Sequence, residues 1–317
     1  MTAKRLLLLF ERAGKRAVRL GDSAAGAIVG LDLEGRWYGV LGGEIVSRVS
    51  PEAVVGQSAR DRYLNPGGDG LWPAPEGTAV GYQYAAGAWR VPPGLVAARF
   101  RVTRASARGV SVCAEVDLVN NRGVGMPARF ERRIAVAPGK NALTVKVVES
   151  LTYLGRRELR NAEALLAPWS LGQFDCGPGC EVVFPCRNRS AIWDLYGDPS
   201  DGQRTWESGL CRTRTDGSQR YQIGIGPEVP WIEYRDPRRG LTVRRTAGPL
   251  PAGEHYIDIR DAAPEARPSR CGVRYSVYSD RSGFMEIEAA GGCPEVLRPG
   301  GTVSVTVNTR FAVASGK

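Results

Sequence analysis

Glu286 and Glu288 stand two residues apart in the run Phe284-Met285-Glu286-Ile287-Glu288. In an extended strand this spacing puts both carboxyls on one face. One can then serve as a general base while its neighbour raises its pKa. Two carboxylates paired to arginines of adjacent strands are the structural alternative. A second constellation lies in residues 65–77, where four glycines and three prolines surround Asp69, Trp72 and Glu76. A flat aromatic face beside carboxylates suits a polar ring with an apolar face, as a sugar has. Asp69 and Glu76 are candidate acceptors for its hydroxyls; Asx-type bonds to the local backbone are their other use. So dense a set of Gly and Pro is expected to form neither helix nor central strand.

Other residue types point the same way. Trp169 and Trp231 are further candidate platforms for a ring, with core packing as the alternative. Arg36 follows a turn and can line a cleft. Arg244 and Arg245 alternate across a strand, so one of the two should face inward, where a guanidinium suits a ligand carboxylate or phosphate. Arg244 is taken as that residue. His255 is the one histidine in the sequence. With Asp258 three residues on, it is a candidate acid or a hydrogen-bonded structural residue.

The seven cysteines are an odd number, and Cys176, Cys180 and Cys186 lie close together. A metal knuckle, a Cys176–Cys180 disulfide and free thiols are the three readings. The spacing is not that of a standard zinc site, and no metal or cofactor is expected. The net charge of +10 is carried by arginine, since five residues only are lysine. An anionic partner would use such a charge. The arginines are scattered rather than gathered into a run, so nucleic acid is not expected. The apolar run at residues 6–10 is too short for a signal-peptide core or a membrane span. A cytoplasmic location without a membrane partner is therefore expected.

The elements that must position these residues are strands. Leu143, Val145 and Val147 alternate with polar residues, as do Val303, Val305 and Val307. Phe130, Ile134 and Val136 share one parity with Arg132. Similar patterns occur at 25–32, 36–41, 95–102, 110–118, 165–174, 221–225, 231–234, 241–245, 273–278 and 284–289, separated by Gly, Pro and Asp turns. One helix is expected, at 50–62, with Ser50 as cap and Pro51 at the first position. The polar stretch 187–217 reads as an excursion. The whole pattern predicts an all-β protein of stacked antiparallel sheets with very little helix, one β-sandwich domain over residues 1–317.

Several segments, in order, resemble the galactose mutarotase-like (aldose 1-epimerase) superfamily, most closely its uncharacterised bacterial branches. They are Gly35-Arg36 with Gly42-Gly43-Glu44; Gly67-Gly68-Asp69-Gly70-Leu71-Trp72-Pro73-Ala74-Pro75-Glu76; and Leu166-Ala167-Pro168-Trp169-Ser170-Leu171. Tyr221-Gln222-Ile223-Gly224 with Trp231-Ile232-Glu233-Tyr234 follows, then Phe284-Met285-Glu286-Ile287-Glu288 with Leu297-Arg298-Pro299-Gly300. The resemblance implies a β-supersandwich with a concave sugar-binding face. It also implies a base at Glu288, because the working epimerases take the anomeric proton with a Glu near the C-terminus. Their acid histidine has no counterpart: the strand that carries it reads Pro168-Trp169-Ser170 here. The expectation is a carbohydrate-binding, epimerase-like protein acting on a sugar or oligosaccharide, neutral or anionic. A binding protein without catalysis is one alternative. A lyase or hydrolase of acidic glycans, with Tyr234 as acid or base, is the other.

Overall fold

In a computed structural model, which describes residues 1–59, 62–83 and 91–314, the alternating segments form two ten-stranded antiparallel sheets. The first runs Ala17–Gly21, Ala25–Gly30, Arg36–Leu41, Asp69–Ala74, Ala167–Asp175, Phe284–Ala290, Tyr275–Ser279, Tyr221–Ile225, Ile192–Tyr196, with Glu44–Ile45 beside Arg36–Leu41. The second runs Arg204–Glu207, Leu210–Arg214, Glu181–Pro185, Ile232–Asp236, Leu241–Ala247, Thr302–Val313, Ala142–Tyr153, Ala128–Gly139, Gly109–Val116, Arg101–Ser106. The second sheet has one buried and one solvated face, so its strands alternate cleanly: Leu143, Val145, Val147 and Leu151 point inward from Ala142–Tyr153. The middle strands of the first sheet are buried on both faces. One face packs on the second sheet through Leu71, Met285, Ile287 and Ala289. The other face carries the candidate site.

Part of that other face is covered by a helix that the alternation gave no sign of. Ala3–Arg12 is capped by Thr2, whose Oγ1 accepts from the Arg5 N–H. Leu6 and Phe10, four apart, are fully buried against Ile28, Tyr38 and Val40. Each such side chain contributes roughly 1.5–3 kcal/mol by leaving water. The apolar run at residues 6–10 is thus one turn of a docked amphipathic helix. No helix among the described residues is long and apolar enough to cross a membrane.

Four sequence expectations are corrected. The helix expected at 50–62 begins as predicted, with Ser50 as cap, but ends at Val55; residues 60 and 61, including Arg60, lie outside the described residues. In place of a strand over 95–102 there is a short helix, Pro93–Val96, and the strand Arg101–Ser106. Pro93 fixes the φ that starts a helical turn. The polar stretch 187–217 supplies edge strands to both sheets, which is why it is polar. Most important, Asp69–Ala74 is an inner strand despite its Gly and Pro. It pairs along its length with Ala167–Asp175, but Arg36–Leu41 meets it only where Trp37 opposes Asp69. Pro73 therefore falls where the ladder on that side has ended, and its missing N–H is tolerated.

Candidate functional site

The register of the first sheet gathers the outward side chains into three rows. Trp72 opposes Trp169, which opposes Ala290. Gly70, Leu171, Glu288, Ser276 and Gly224 form the next row. Gln173, Glu286, Tyr278 and Gln222 form the third. The glycines make room: a Cβ on Gly70 would lie 3.1 Å from the Arg36 guanidinium carbon, and one on Gly224 would lie 2.7 Å from the Trp193 ring.

Glu288 is the hub. Its Oε2 accepts from Trp169 Nε1 at 3.1 Å, and both its oxygens accept from Gln222 Nε2, at 3.2 and 3.1 Å. Glu286 accepts from Gln173 Nε2 at 2.6 Å. The two carboxyls lie on the same face of their strand, and the charge of Glu286 acts on Glu288. The Trp72 and Trp169 rings meet edge to face, centroids 6.1 Å apart. Trp72 Nε1 donates at 3.2 Å to Glu34, which also accepts from Arg36 Nε at 3.1 Å. Arg36 Nη1 donates to the Gly67 carbonyl and Nη2 to the Tyr63 hydroxyl. Glu288, Glu286, Trp169, Trp72 and Arg36 thus fall into one connected network.

Sequence reasoning missed Glu34, Gln173 and Gln222. Glu34 is buried and sits at φ 55°, in the left-handed region that non-glycine residues seldom occupy. The only sequence signal was its place in a tight turn before Gly35-Arg36. Gln173 and Gln222 were detectable as polar residues on the same strand parity as Trp169 and as the partner row of Glu286. A cleft of about 620 Å³ adjoins the network at Glu34, lined also by Lys15, Leu33, Leu64, Val96 and Arg99.

Burial sets the electrostatics. It pushes the Glu288 carboxyl well above the usual carboxylate range, and the charge of Glu286 pushes further in the same direction. Glu286 is raised by burial too, opposed by the Gln173 hydrogen bond and the nearby Arg36 charge. Two amide oxygens in the cluster, Gln173 Oε1 and Gln222 Oε1, are buried without a hydrogen-bond partner. Buried polar atoms are rarely left so.

The other expected site residues are elsewhere. Asp69 is on the opposite face of its strand, between the sheets, where Arg132 and Arg245 take both its oxygens at 2.7 and 2.8 Å; it has no place among acceptors for a sugar on the outer face. Tyr234 is also in the interior, stacked on Phe174 with centroids 5.0 Å apart and donating to the Asp175 carbonyl at 2.7 Å. There it does not reach the outer face of the first sheet. Trp231 and Arg244 are on the second sheet, the guanidinium 4.1 Å over the ring and bonded to Glu233. Of the two alternating arginines it is Arg245 that turns inward, to Asp69 rather than to a cleft. His255 is 43% exposed on a separate two-stranded ribbon, near Asn161 and Glu295. Asp258 bonds the N–H groups of Arg260 and Ser269 instead. Glu76 is half-buried just past the end of the Trp72 strand. The seven cysteines are free thiols, all buried except Cys271. Among the described residues no group of His, Cys, Asp and Glu is placed to hold a metal ion.

Two large stacked antiparallel sheets with very little helix place the chain in the galactose mutarotase-like fold. A galactose mutarotase-like protein from Lactobacillus casei ATCC 334 superposes with TM-score 0.56 at 9% identity, covering 93% of this chain and 100% of that one. A galactose mutarotase related enzyme from Lactobacillus acidophilus gives 0.55 at 12%, covering 95% and 100%. The Slr1438 protein from Synechocystis sp. PCC 6803 gives 0.56 at 12%, covering 94% and 96%. Within that fold, the chain belongs to DUF6786, a family of unknown function whose model matches residues 33–231. The match includes Glu34, Arg36, Trp72, Trp169 and Gln222 but ends before the two glutamates. No curated protein matches the chain.

Proposed function

We propose that this protein binds a neutral aldose, free or at the end of an oligosaccharide, on the outer face of the first sheet, and interconverts its anomers. The carrying observation is the Glu286–Glu288 pair flanked by the unpartnered oxygens of Gln173 and Gln222. A sugar supplies what that face lacks: hydroxyl donors for two amide oxygens and an ionisable O–H beside a carboxyl pair. Trp72 and Trp169 are 2% exposed. In this reading they wall the site and aim their N–H groups at the carboxylates. The cleft over Glu34 is the approach.

Neutrality follows from charge. The cation of the network, Arg36, has its donors committed to Glu34, Gly67 and Tyr63. A uronic acid or sugar phosphate would add a negative group beside two carboxyls whose neighbouring guanidinium, Arg36, is already bonded. Arg244, expected to serve that purpose, faces solvent on the other sheet. A thermal-shift screen over neutral aldoses, uronic acids and sugar phosphates tests this, since a ligand of the folded state raises Tm. Stabilisation by a neutral aldose, followed by anomer exchange in proton NMR, is expected. Stabilisation by anionic sugars alone would refute the reading.

The absence of the family's acid histidine favours one competing reading, a sugar-binding protein without turnover. It predicts that Glu288→Gln weakens binding and that the unmodified protein exchanges no anomers.

A further inference from the structure

Glu286 and Glu288 lie two residues apart on one strand face, and both are buried. Two ionised carboxylates side by side in a dry site repel each other, and one proton held between them relieves the repulsion. The surroundings leave the same requirement. The donors around the pair are Gln173, Trp169 and Gln222, with the Ser276 hydroxyl opposite Glu288, all neutral. No salt bridge to either carboxyl is present among the described residues. The other ionisable groups nearby are Glu34, Arg36 and Tyr63, bonded together, and Tyr278, whose hydroxyl donates to Asp280.

Resting on the epimerase reading above, we propose that Glu286 and Glu288 form one acid–base unit holding a single proton, which takes the place of the Glu–His couple. Arg36 and Gln173 favour charge on Glu286; among the described residues Glu288 has no salt bridge. The proton therefore resides on Glu288. Glu286 accepts the proton of the anomeric hydroxyl while Glu288 gives its own to the ring oxygen. The bond from the anomeric carbon to the ring oxygen breaks as the carbonyl forms. After rotation the steps reverse, and the ring closes in the other anomer. One proton leaves the sugar and one arrives, so the pair ends with its proton moved from one carboxyl to the other. Ring closure restores it. The family resemblance gives Glu288 the part of base; the geometry gives it the part of acid.

The test has two arms. Infrared difference spectra at neutral pH should contain a protonated-carboxyl C=O band that disappears in Glu288→Gln, with no sugar required. Anomer exchange followed by NMR should fall roughly 10³-fold in Glu286→Gln and in Glu288→Gln alike. The double substitution should be no worse than either single one, because the pair acts as a unit. Glu286→Asp, which keeps a carboxyl but withdraws it, should fall between, and guards against misfolding of the amides. Absence of the infrared band, or exchange in Glu286→Gln within about threefold of the unmodified protein, against the 10²–10⁴ typical of such a group, overturns the proposal. A protein that shows the band but exchanges no aldose refutes the epimerase reading, and with it the catalytic use of the pair, while leaving the shared proton in place.

Discussion

The two faces of the first sheet both bury carboxylates, and they neutralise them differently. On the inner face Asp69 and Glu149 meet Arg132 and Arg245. All five Arg132 donors are used, on Glu149, on the Asp69 side chain and carbonyl, and on the Gly35 carbonyl. Two positive and two negative groups cancel, and Ser170 links them. On the outer face Glu286 and Glu288 have neutral donors, a proton, and two unpartnered amide oxygens near them. A network whose charges are paired is a fixture of the fold, even though Arg245 Nε is buried there without a partner, whereas carboxyls that meet no arginine directly have room for a ligand. Residue types alone would not separate the two.

Removing one inner partner should produce the largest effect on stability. Arg132→Met leaves Asp69 and Glu149 facing each other across a dry interior. Breaking a buried pair in this way costs about 3–5 kcal/mol. Urea denaturation should show that loss, or failure to accumulate folded protein. A change under about 1 kcal/mol would mean that water reaches the network, and the contrast between the faces would collapse.

On the outer face the expectation is reversed: Glu288→Gln should cut exchange roughly 10³-fold while leaving stability equal or higher at neutral pH. The sign follows from linkage. Burial, then the charge of Glu286, raises the native carboxyl well above its ordinary value. The unfolded chain loses this proton near pH 4.3, at about the free glutamate value. Above that pH the native state binds more protons than the unfolded state. The stabilisation is full below the ordinary carboxylate value and is lost as pH climbs to and through the native value. Tm should therefore decline with rising pH above about 5, and less steeply in Glu288→Gln. Equal slopes in the two proteins would place the proton elsewhere, with Glu149, also raised by burial, as the next candidate.

Trp72→Phe probes the joint between the network and the cleft. It removes the N–H to Glu34 and keeps most of the ring. The direct cost is about 1 kcal/mol for one hydrogen bond, more if the freed carboxylate oxygen stays dry. Sugar-induced stabilisation should shrink along with it. Unchanged sugar binding would separate the Arg36–Glu34 limb from the site.

The fold was legible because its signal is periodic: most strand segments were readable to within a few residues from alternation and turns. The helix Ala3–Arg12 was not, because five consecutive apolar residues hide which of them face inward. The inner network had a readable trace. Arg132 shares the parity of Phe130, Ile134 and Val136, Glu149 that of Val145, Val147 and Leu151, and Arg245 that of Leu241 and Val243. Charges at inward positions on three strands of one sheet imply a buried ionic cluster, and Arg132 directly opposes Glu149. The candidate site was half legible. Glu286, Glu288, Trp72, Trp169 and Arg36 do come together. Asp69, Tyr234, Trp231 and Arg244 do not, because parity says that a side chain alternates without saying which sheet, or which of its faces, receives it.

The smallest expected effect tests that last distinction. Arg244 and Trp231 have the look of a ligand site: a guanidinium over an aromatic face, a carboxylate alongside. Yet Arg244 is 46% exposed in its side chain and Glu233 already satisfies it. An exposed ion pair of this kind contributes about 0–1 kcal/mol, and an exposed cation–π contact about 0.5–1. Arg244→Ala should therefore change stability by at most about 1 kcal/mol and leave both sugar-induced stabilisation and anomer exchange as they were. Loss of either would move the ligand to the second sheet. It would make the outer face of the first sheet, with its shared proton and unpartnered amides, a second buried polar cluster rather than the site.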